Sequence, residues 1–415
     1  MAKHFRKLIK TSHPVLLPAL LMAPLSALAA GNYFDARNDA MGGTGVATST
    51  YGTAPLANPA LLTKAQPDDD VSITLPSVGA QLSDGDHMID KIDHLTDSVD
   101  RYRDLANQNP LALLRDRAQI QSAAGDLANQ LENLRGNKAW GSAGAAVVVA
   151  VPNKVLPFAF VTKAYGTAHV ATEVAQSDID YLRGIEKGTR IPVSGDQNTL
   201  RSAGLGRGAI VYDYGIAVAH EFSIGGHPVS VGVTPKIQQV YLYNYSASIY
   251  NYDKSDFKQG RYKNHDNGFN LDAGLSTDVN DNWTLGLSAQ NLFSRDIDTR
   301  EISGYKDTYQ IRPLVTGGVA WHNERLTVGL DADATSTKRF KTQQESQYAG
   351  VGAEFRAFSW LQLRAGYRAD MKSNDANVAT LGFGLSPWGK VHLDLAGMAG
   401  DDRTYGAVAQ LGFTF

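Results

Sequence analysis

Residues 405–415, YGAVAQLGFTF, decide the fold class of this chain. Every second residue from Tyr405 is apolar or small, and this set includes Leu411, Phe413 and Phe415. The residues between them, which we call the other parity, are mainly glycine, glutamine and threonine. This period of two predicts a strand with one apolar face. A long amphipathic strand at a chain end invites edge pairing in a soluble protein. The stretch therefore favours a closed barrel in a membrane.

The same period recurs through most of the chain and predicts about fourteen strands, with boundaries good to a few residues. We place them at residues 71–82, 139–151, 155–171, 205–222, 227–245, 267–278, 282–293, 308–321, 325–335, 347–357, 360–371, 378–387, 390–399 and 405–415. In this arrangement the last strand has two neighbours, 390–399 and 71–82, so that closure removes its open edge.

The connections between these strands alternate in length. Short ones, such as 152–154, 280–282 and 322–324, separate long ones, such as 83–138 and 172–204. Short turns alternating with longer loops are typical of outer-membrane barrels. The predicted fold class is therefore an all-β transmembrane barrel of antiparallel strands, located in the outer membrane of a Gram-negative bacterium and in contact with its lipid.

Residues 1–29 predict a cleavable signal peptide, with a basic start, an apolar stretch and the small-residue pattern Ala27-Leu28-Ala29. Its removal would leave 35 Lys and Arg against 42 Asp and Glu, a net charge of about −7. That balance argues against nucleic acid as a partner. The chain has no cysteine, which excludes disulfides and thiol chemistry.

Three regions follow the signal peptide. Residues 30–67, small and rich in Gly, Ala and Pro, form the predicted plug, and residues 68–415 form the barrel. Within the barrel, residues 83–137 change to helical spacing, which predicts a helical insert after the first strand. Two interpretations of the insert remain open. It is either a cap that binds a ligand or partner, or a helical hairpin that buries its own apolar stripe on the barrel mouth.

Side chains on the inward parity are polar and charged. Around the turn at Phe358-Ser359, Glu354 and Arg364 fall opposite each other, which predicts an ion pair in the lumen. On the outward parity, tryptophans lie beside short turns and predict an aromatic belt at one rim. The belt residues are Trp283, Trp321, Trp360 and Trp388.

Residues 38–66, NDAMGGTGVATSTYGTAPLANPALLTKAQ, carry a resemblance to a known family. The Gly/Ala-rich stretch, then Asn58-Pro59-Ala60 and a first strand, resembles the N-terminal hatch of FadL-like outer-membrane barrels. That resemblance implies a fourteen-stranded barrel, a hatch in its lumen and passive transport of hydrophobic compounds. Gly42, Gly43 and Gly45 then belong to flexible hatch backbone, because the phosphate-loop alternative lacks the Lys-Ser/Thr that should follow.

A narrower resemblance is to the group labelled conjugal transfer protein TraF, of the plasmid-transfer type. It implies an alternative function, a structural or partner-binding component that contacts conjugation proteins. The thioredoxin-like proteins of that label need cysteines, so a redox role is excluded here. No motif predicts an enzyme, a cofactor or a metal site. The terminal aromatic, Phe415, resembles the signal that the outer-membrane assembly machinery recognises.

Overall fold

The computed structural model describes residues 34–66, 68–192, 200–250 and 260–415, so the predicted signal peptide lies outside the described residues. Fourteen antiparallel strands close into one barrel, as predicted, and two more form a separate hairpin. The strands are Ser72–Ser83 (β1), Lys138–Val151 (β2), Phe158–Glu173 (β3), Ala203–Ile224 (β4), His227–Ser248 (β5), Lys263–Asn280 (β6), Trp283–Gln290 (β7), Arg295–Asp298 (β8), Thr308–Ile311 (β9), Leu314–His322 (β10), Leu326–Asp333 (β11), Tyr348–Phe358 (β12), Leu361–Asp370 (β13), Val378–Leu385 (β14), Val391–Gly400 (β15) and Thr404–Thr414 (β16).

The barrel closes where its first and last strands meet. Strand β16 pairs with β15 on one side and with β1 on the other, where Ser72 faces Thr414. The Phe415 N–H donates to the Val71 carbonyl at 2.9 Å. The strand that ends the chain therefore has no free edge, as the sequence predicted.

Alternation divides each strand between two environments. In β13, Leu363 and Tyr367 point outward and are 47% exposed, whereas the inward Arg364 and Arg368 are 6% and 3% exposed. An apolar outer surface fits a hydrocarbon solvent, and paired polar groups fit the interior. We call the barrel end with the short connections the turn end and the opposite end the loop end.

The described part of the plug, residues 34–66, runs across the inside of the barrel. It contains two short helices, Ala36–Ala40 (α1) and Ala54–Ala57 (α2), and a 3₁₀ helix, Pro59–Lys64. Helix α1 packs on β13 to β16, and the 3₁₀ helix packs on β4, β5 and β6, across the lumen. Most of the segment is buried.

Helices cover one side of the loop end. The insert between β1 and β2 forms helices Met88–Ala106 (α3), Pro110–Arg115 (α4) and Arg117–Leu134 (α5). A further helix, Gln176–Glu186 (α6), lies in the loop after β3 and packs on α5. The apolar stripes of these helices share one core, which includes Leu127 and Leu182. Among the described residues, no helix is both long and apolar enough to cross a bilayer.

One predicted strand is wrong in its extent. Residues 308–321 were expected to be a single strand, but β9 ends at Ile311 and the barrel strand β10 begins at Leu314. Strand β9 pairs with β8 in a hairpin that folds into the barrel. There Tyr309 and Ile311 pack against inward residues of β3 to β5, in a core with Tyr165, Val240, Leu242 and Phe340. Period two cannot distinguish such a hairpin from a barrel strand.

Candidate functional site: the occupied lumen

Inward-facing glycines make room for the plug. At Gly352 on β12, an added Cβ would lie 2.5 Å from the carbonyl carbon of Met41 and 2.6 Å from its Cα. Such distances are too short for any side chain, so the wall and the plug meet backbone to backbone. Glycines of ten strands face the plug where an added Cβ would crowd its backbone or side-chain atoms: Gly79, Gly144, Gly232, Gly274, Gly286, Gly318, Gly329, Gly352, Gly366 and Gly382.

An ion-pair network joins the plug to β12, β13 and β15. The structure places the predicted pair opposite each other, and Arg364 Nε donates to Glu354 Oε2 at 2.7 Å. Arg364 also pairs with Asp394. The sequence did not predict that Arg37 of the plug binds the same carboxylate, through Nε to Oε2 at 2.9 Å and Nη2 to Oε1 at 3.1 Å. This bidentate contact ties α1 to the wall.

The predicted plug glycines lie in a turn held by one carboxylate. Gly42 and Gly43 have φ of 70° and 83°, which favours glycine. The next residues place two backbone N–H groups toward β11, and Asp331 Oδ2 accepts from Gly45 at 2.7 Å and from Val46 at 2.8 Å. Asp331 lies on the inward parity of β11, but nothing in the sequence marks it as a partner of the plug.

Asn58, Pro59 and Ala60 form the start of the 3₁₀ helix. Asn58 Oδ1 accepts from the Ala60 N–H at 3.1 Å. Its Nδ2 donates to the carbonyls of Val46 at 2.8 Å and of Leu275 at 2.9 Å. Pro59 stands at the first helical position, where its missing N–H costs nothing. One asparagine thus links two parts of the plug to β6.

Four buried charges on neighbouring strands form a second network, which sequence reasoning missed. Lys236 Nζ lies 2.8 Å from Asp272 and 3.2 Å from Asp213, and Lys163 lies 3.7 Å from Asp213. Their side chains are at most 3% exposed. Alternating signs on β3, β4, β5 and β6 brace the wall across the strand register. Parity alone places the four side chains inside, but joining them into one network required the register across the long loops after β3 and β5.

An aspartate in the plug has an unusual environment. Asp39 is 3% exposed, and burial raises the pKa of its carboxyl to about 8, although Arg368 acts in the opposite direction. Its carboxylate accepts from the Asp35 N–H at 3.2 Å. This carboxyl is thus predominantly neutral below pH 8 and charged above it.

A cavity of about 650 Å³, here called the outer cavity, opens at the loop end above the plug. Its walls include the ends of β1 to β4, of β12 and of β13, and the loop 337–346. Aromatic side chains lie on one side, where Trp140 stacks on His169 and His169 meets Phe340 edge-on. Lys138, Lys338 and several other polar residues line the rest. A volume of this size is typical of small-molecule sites.

A second, smaller space lies deeper, between the plug and β7 and β10 to β13. This chamber has a volume of about 40 Å³, and its plug side consists of Gly42, Gly43, Gly45, Val46 and Ala57. Polar side chains form most of its wall side. The polar and charged side chains that line it are Gln290, Thr316, Asp331, Asp333, Tyr348 and Arg368, together with Ser288.

The predicted tryptophans all lie at the turn end. Trp283 and Trp321 are register partners on β7 and β10, and Trp360 and Trp388 lie in or beside turns. Trp283, Trp360 and Trp388 are 44%, 48% and 87% exposed, so their rings are available to a surrounding interface. Phe415 also lies at this end, 53% exposed, and its ring stacks on Phe413.

No group of three or more His, Cys, Asp or Glu side chains is placed to hold a metal ion within the described residues. What the arrangement offers is an outward cavity, a narrow chamber and an internal segment held by both polar contacts and apolar packing. These features define a class of protein, the fourteen-stranded barrel with an occupied lumen.

The particular family follows from sequence. Residues 55–333 match the family described as "F plasmid transfer operon, TraF, protein", and the chain therefore belongs to it. No curated protein matches the chain significantly.

Solved structures share the fold. A TodX mutant, described as a monoaromatic hydrocarbon channel, has a TM-score of 0.55 at 14% identity and covers 92% of this chain and 99% of its own. The toluene transporter TbuX of Ralstonia pickettii has a TM-score of 0.54 at 12% identity, with 92% and 99% covered. A FadL homologue of Pseudomonas aeruginosa has a TM-score of 0.50 at 12% identity, with 95% and 99% covered. The predicted resemblance to FadL-like barrels with a TraF label is confirmed.

Proposed function

We propose that this protein is a FadL-like outer-membrane barrel that passively admits small hydrophobic compounds. The loop end would face the exterior and the turn end the periplasm. The observation that carries the proposal is the outer cavity, which places Trp140 and Phe340 above a plugged lumen. Aromatic and aliphatic surface binds an apolar solute, and displacement of the plug then lets the solute pass. No catalytic step is involved.

The plug contacts suit a gate of this kind. On one side the plug is held by hydrogen bonds and ion pairs, such as Arg37 with Glu354 and Asn58 with the Leu275 carbonyl. On the side of β2 to β4 it packs in an apolar core that includes Leu56 and Leu61. Polar contacts exchange readily with water, so we expect the plug to move first on its polar side. The neighbouring structures described as hydrocarbon channels support the same class of solute.

Solute binding is tested with toluene as the probe. Purified protein in detergent is titrated while tryptophan fluorescence is recorded, and Trp140→Ser is compared with Trp140→Phe. Because the cavity needs an apolar ring at this position, we expect Trp140→Ser to weaken toluene binding and Trp140→Phe to retain it. Binding that both variants leave unchanged would contradict a site in the outer cavity.

Gating is tested by deletion of residues 31–60. Removal of these residues takes away both α helices of the plug and should raise the leakage of small solutes from proteoliposomes. The barrel must stay folded, which its heat-dependent migration on gels would verify. Unchanged permeability with an intact barrel would refute the gate.

The second candidate is a structural component of a conjugative transfer apparatus, a possibility favoured by the description of the matching family. It predicts that loss of the protein lowers plasmid transfer between cells while toluene uptake stays normal. The reverse result, normal transfer with impaired uptake, would favour the channel.

A further inference from the structure

The two cavities meet at one pair of side chains. Tyr348 at the start of β12 and Arg368 on β13 line both the outer cavity and the chamber. Movement of these two side chains would join the spaces. On the opposite side of the barrel, Tyr309 of the β8–β9 hairpin packs with Phe340 of the loop 337–346 and fills the lumen with apolar side chains. A connection along β10 to β13 avoids this packed core.

Polar atoms in the chamber lack partners. Among the described residues, Asp331 Oδ1, Gln290 Oε1 and Arg368 Nε are buried without a hydrogen bond. The three side chains are 5%, 7% and 3% exposed. Buried polar groups are normally paired with protein or water. The chamber volume of about 40 Å³ has room for roughly three water molecules at ~10–15 Å³ each. The chamber is thus suited to hydrated species rather than to apolar ones.

The closing pair is lightly held. Arg368 donates to Gln81 Oε1 at 3.3 Å, and its Cζ lies 5.3 Å from the centre of the Tyr348 ring. The Tyr348 hydroxyl donates to Asp375, in the loop after β13. A long hydrogen bond and a cation–π contact are weak restraints for an arginine. Both side chains lie at the loop end, where a shift of the loop after β13 would move Tyr348 together with Asp375.

We propose that the seam between the plug and β10–β13 conducts water and small inorganic ions, and that Tyr348 and Arg368 close its outer end. This activity goes beyond the uptake of hydrophobic compounds. Beyond the chamber the plug turn at Gly42 packs directly on the wall backbone at Gly350 and Gly366. The ion path there therefore requires this glycine turn to shift away from the wall.

The charges along the seam set its selectivity. Asp331 and Asp333 are the acidic groups of the chamber, and Arg368 is its basic group. A fixed positive charge in a narrow path repels cations, and carboxylates attract them. Removal of the Arg368 charge should therefore both open the seam and make it prefer K⁺ over Cl⁻.

The test is the conductance of the full-length protein in planar bilayers in KCl. We expect low conductance for the native protein and a severalfold higher conductance for Tyr348→Ala and Arg368→Gln. The Arg368→Gln substitution should also shift the reversal potential toward that of K⁺. Tyr348→Phe keeps the ring and should stay closed. The second control, Lys338→Gln, removes a positive charge from a residue that lines the outer cavity but not the chamber. Neither control should change the conductance.

Conductance in Tyr348→Ala and Arg368→Gln equal to that of the two controls would overturn the proposal. Because the chain has no cysteine, Tyr348→Cys offers a second measurement if an opened variant does not insert. A positively charged methanethiosulfonate added on the loop side should change its current, and an unchanged current after complete modification would also refute the gate. Toluene binding is measured independently, so the proposal of ion conduction can be refuted while the proposal of hydrophobic uptake stands.

Discussion

Substitution of Gly352 by alanine should displace the plug from its seat. The glycine faces Met41 backbone to backbone, and an added Cβ would lie 2.5 Å from the Met41 carbonyl carbon. Neither partner is the flexible end of a side chain, so the overlap cannot be relieved by a rotamer change. The matched control is Gly317→Ala on β10, where an added Cβ meets nothing within 4 Å.

The expected cost follows from the geometry. An ordinary contact begins at 3.4 Å, so plug and wall must separate by about 1 Å, and overpacking of this kind costs ~1–3 kcal/mol. The same movement stretches the contact of Arg37 with Glu354, two residues along β12 from Gly352. Loss of hydrogen bonds to a charged group adds ~1.5–3 kcal/mol. The plug, not the barrel, should absorb most of this strain.

Proteoliposome leakage and limited proteolysis report the outcome. Gly352→Ala should leak small solutes faster than the native protein and expose the plug to cleavage within residues 34–66, while the barrel keeps its heat-dependent gel migration. Gly317→Ala should behave as the native protein does. Equal leakage and equal plug protection in both variants would refute the inference that the wall glycines seat the plug.

Three further predictions concern the plug and the terminal strand. Arg37→Gln should destabilise the plug by ~1.5–3 kcal/mol, because the charged hydrogen bonds to Glu354 are lost; protease protection of the plug measures this, and unchanged protection would contradict it. Burial raises the pKa of Asp39 from 3.8 to about 8. Between these pH values the folded state binds more protons than the unfolded state, so the free energy of unfolding should fall as pH rises. Asp39→Asn should remove this decline in melting temperature between pH 5 and 8, and a decline of the same size in the variant would exclude Asp39 as its source. Phe415→Ala should lower the amount of barrel assembled in the outer membrane without blocking export across the inner membrane, and cell fractionation would show normal assembly if the prediction is wrong.

The sequence predicted the barrel well because period two is a local signal. Alternation located the strands, and closure by residues 405–415 followed from parity alone. The prediction failed where a hairpin inside the lumen has the same alternation as a barrel strand. Tyr309 and Ile311 continue the pattern of β10, yet they belong to a hairpin packed on Tyr165 inside the lumen. Only the three-dimensional core separates the two cases.

The candidate site was predicted in part. Glu354 and Arg364 flank a short turn, so their register could be counted. Arg37 is distant in the chain and has no register with β12, and nothing local marks it as the third partner. The same holds for Asp331 and for the wall glycines, whose role depends on where the plug backbone passes. Contacts between an irregular segment and a regular wall leave no periodic signal.

The central claim is that hydrophobic compounds pass only when the plug moves, and a reversible tether tests it most directly. An added Cβ at Gly329 would lie 3.2 Å from the Thr44 Cβ, close to the ~3.5–4.5 Å of a disulfide. In a chain without cysteine, Thr44→Cys with Gly329→Cys adds a single possible bond between plug and β11. Toluene uptake into proteoliposomes should stop when this bond is formed and return on reduction. Equal uptake in the oxidised and reduced states, with the disulfide verified by mass, would contradict the account.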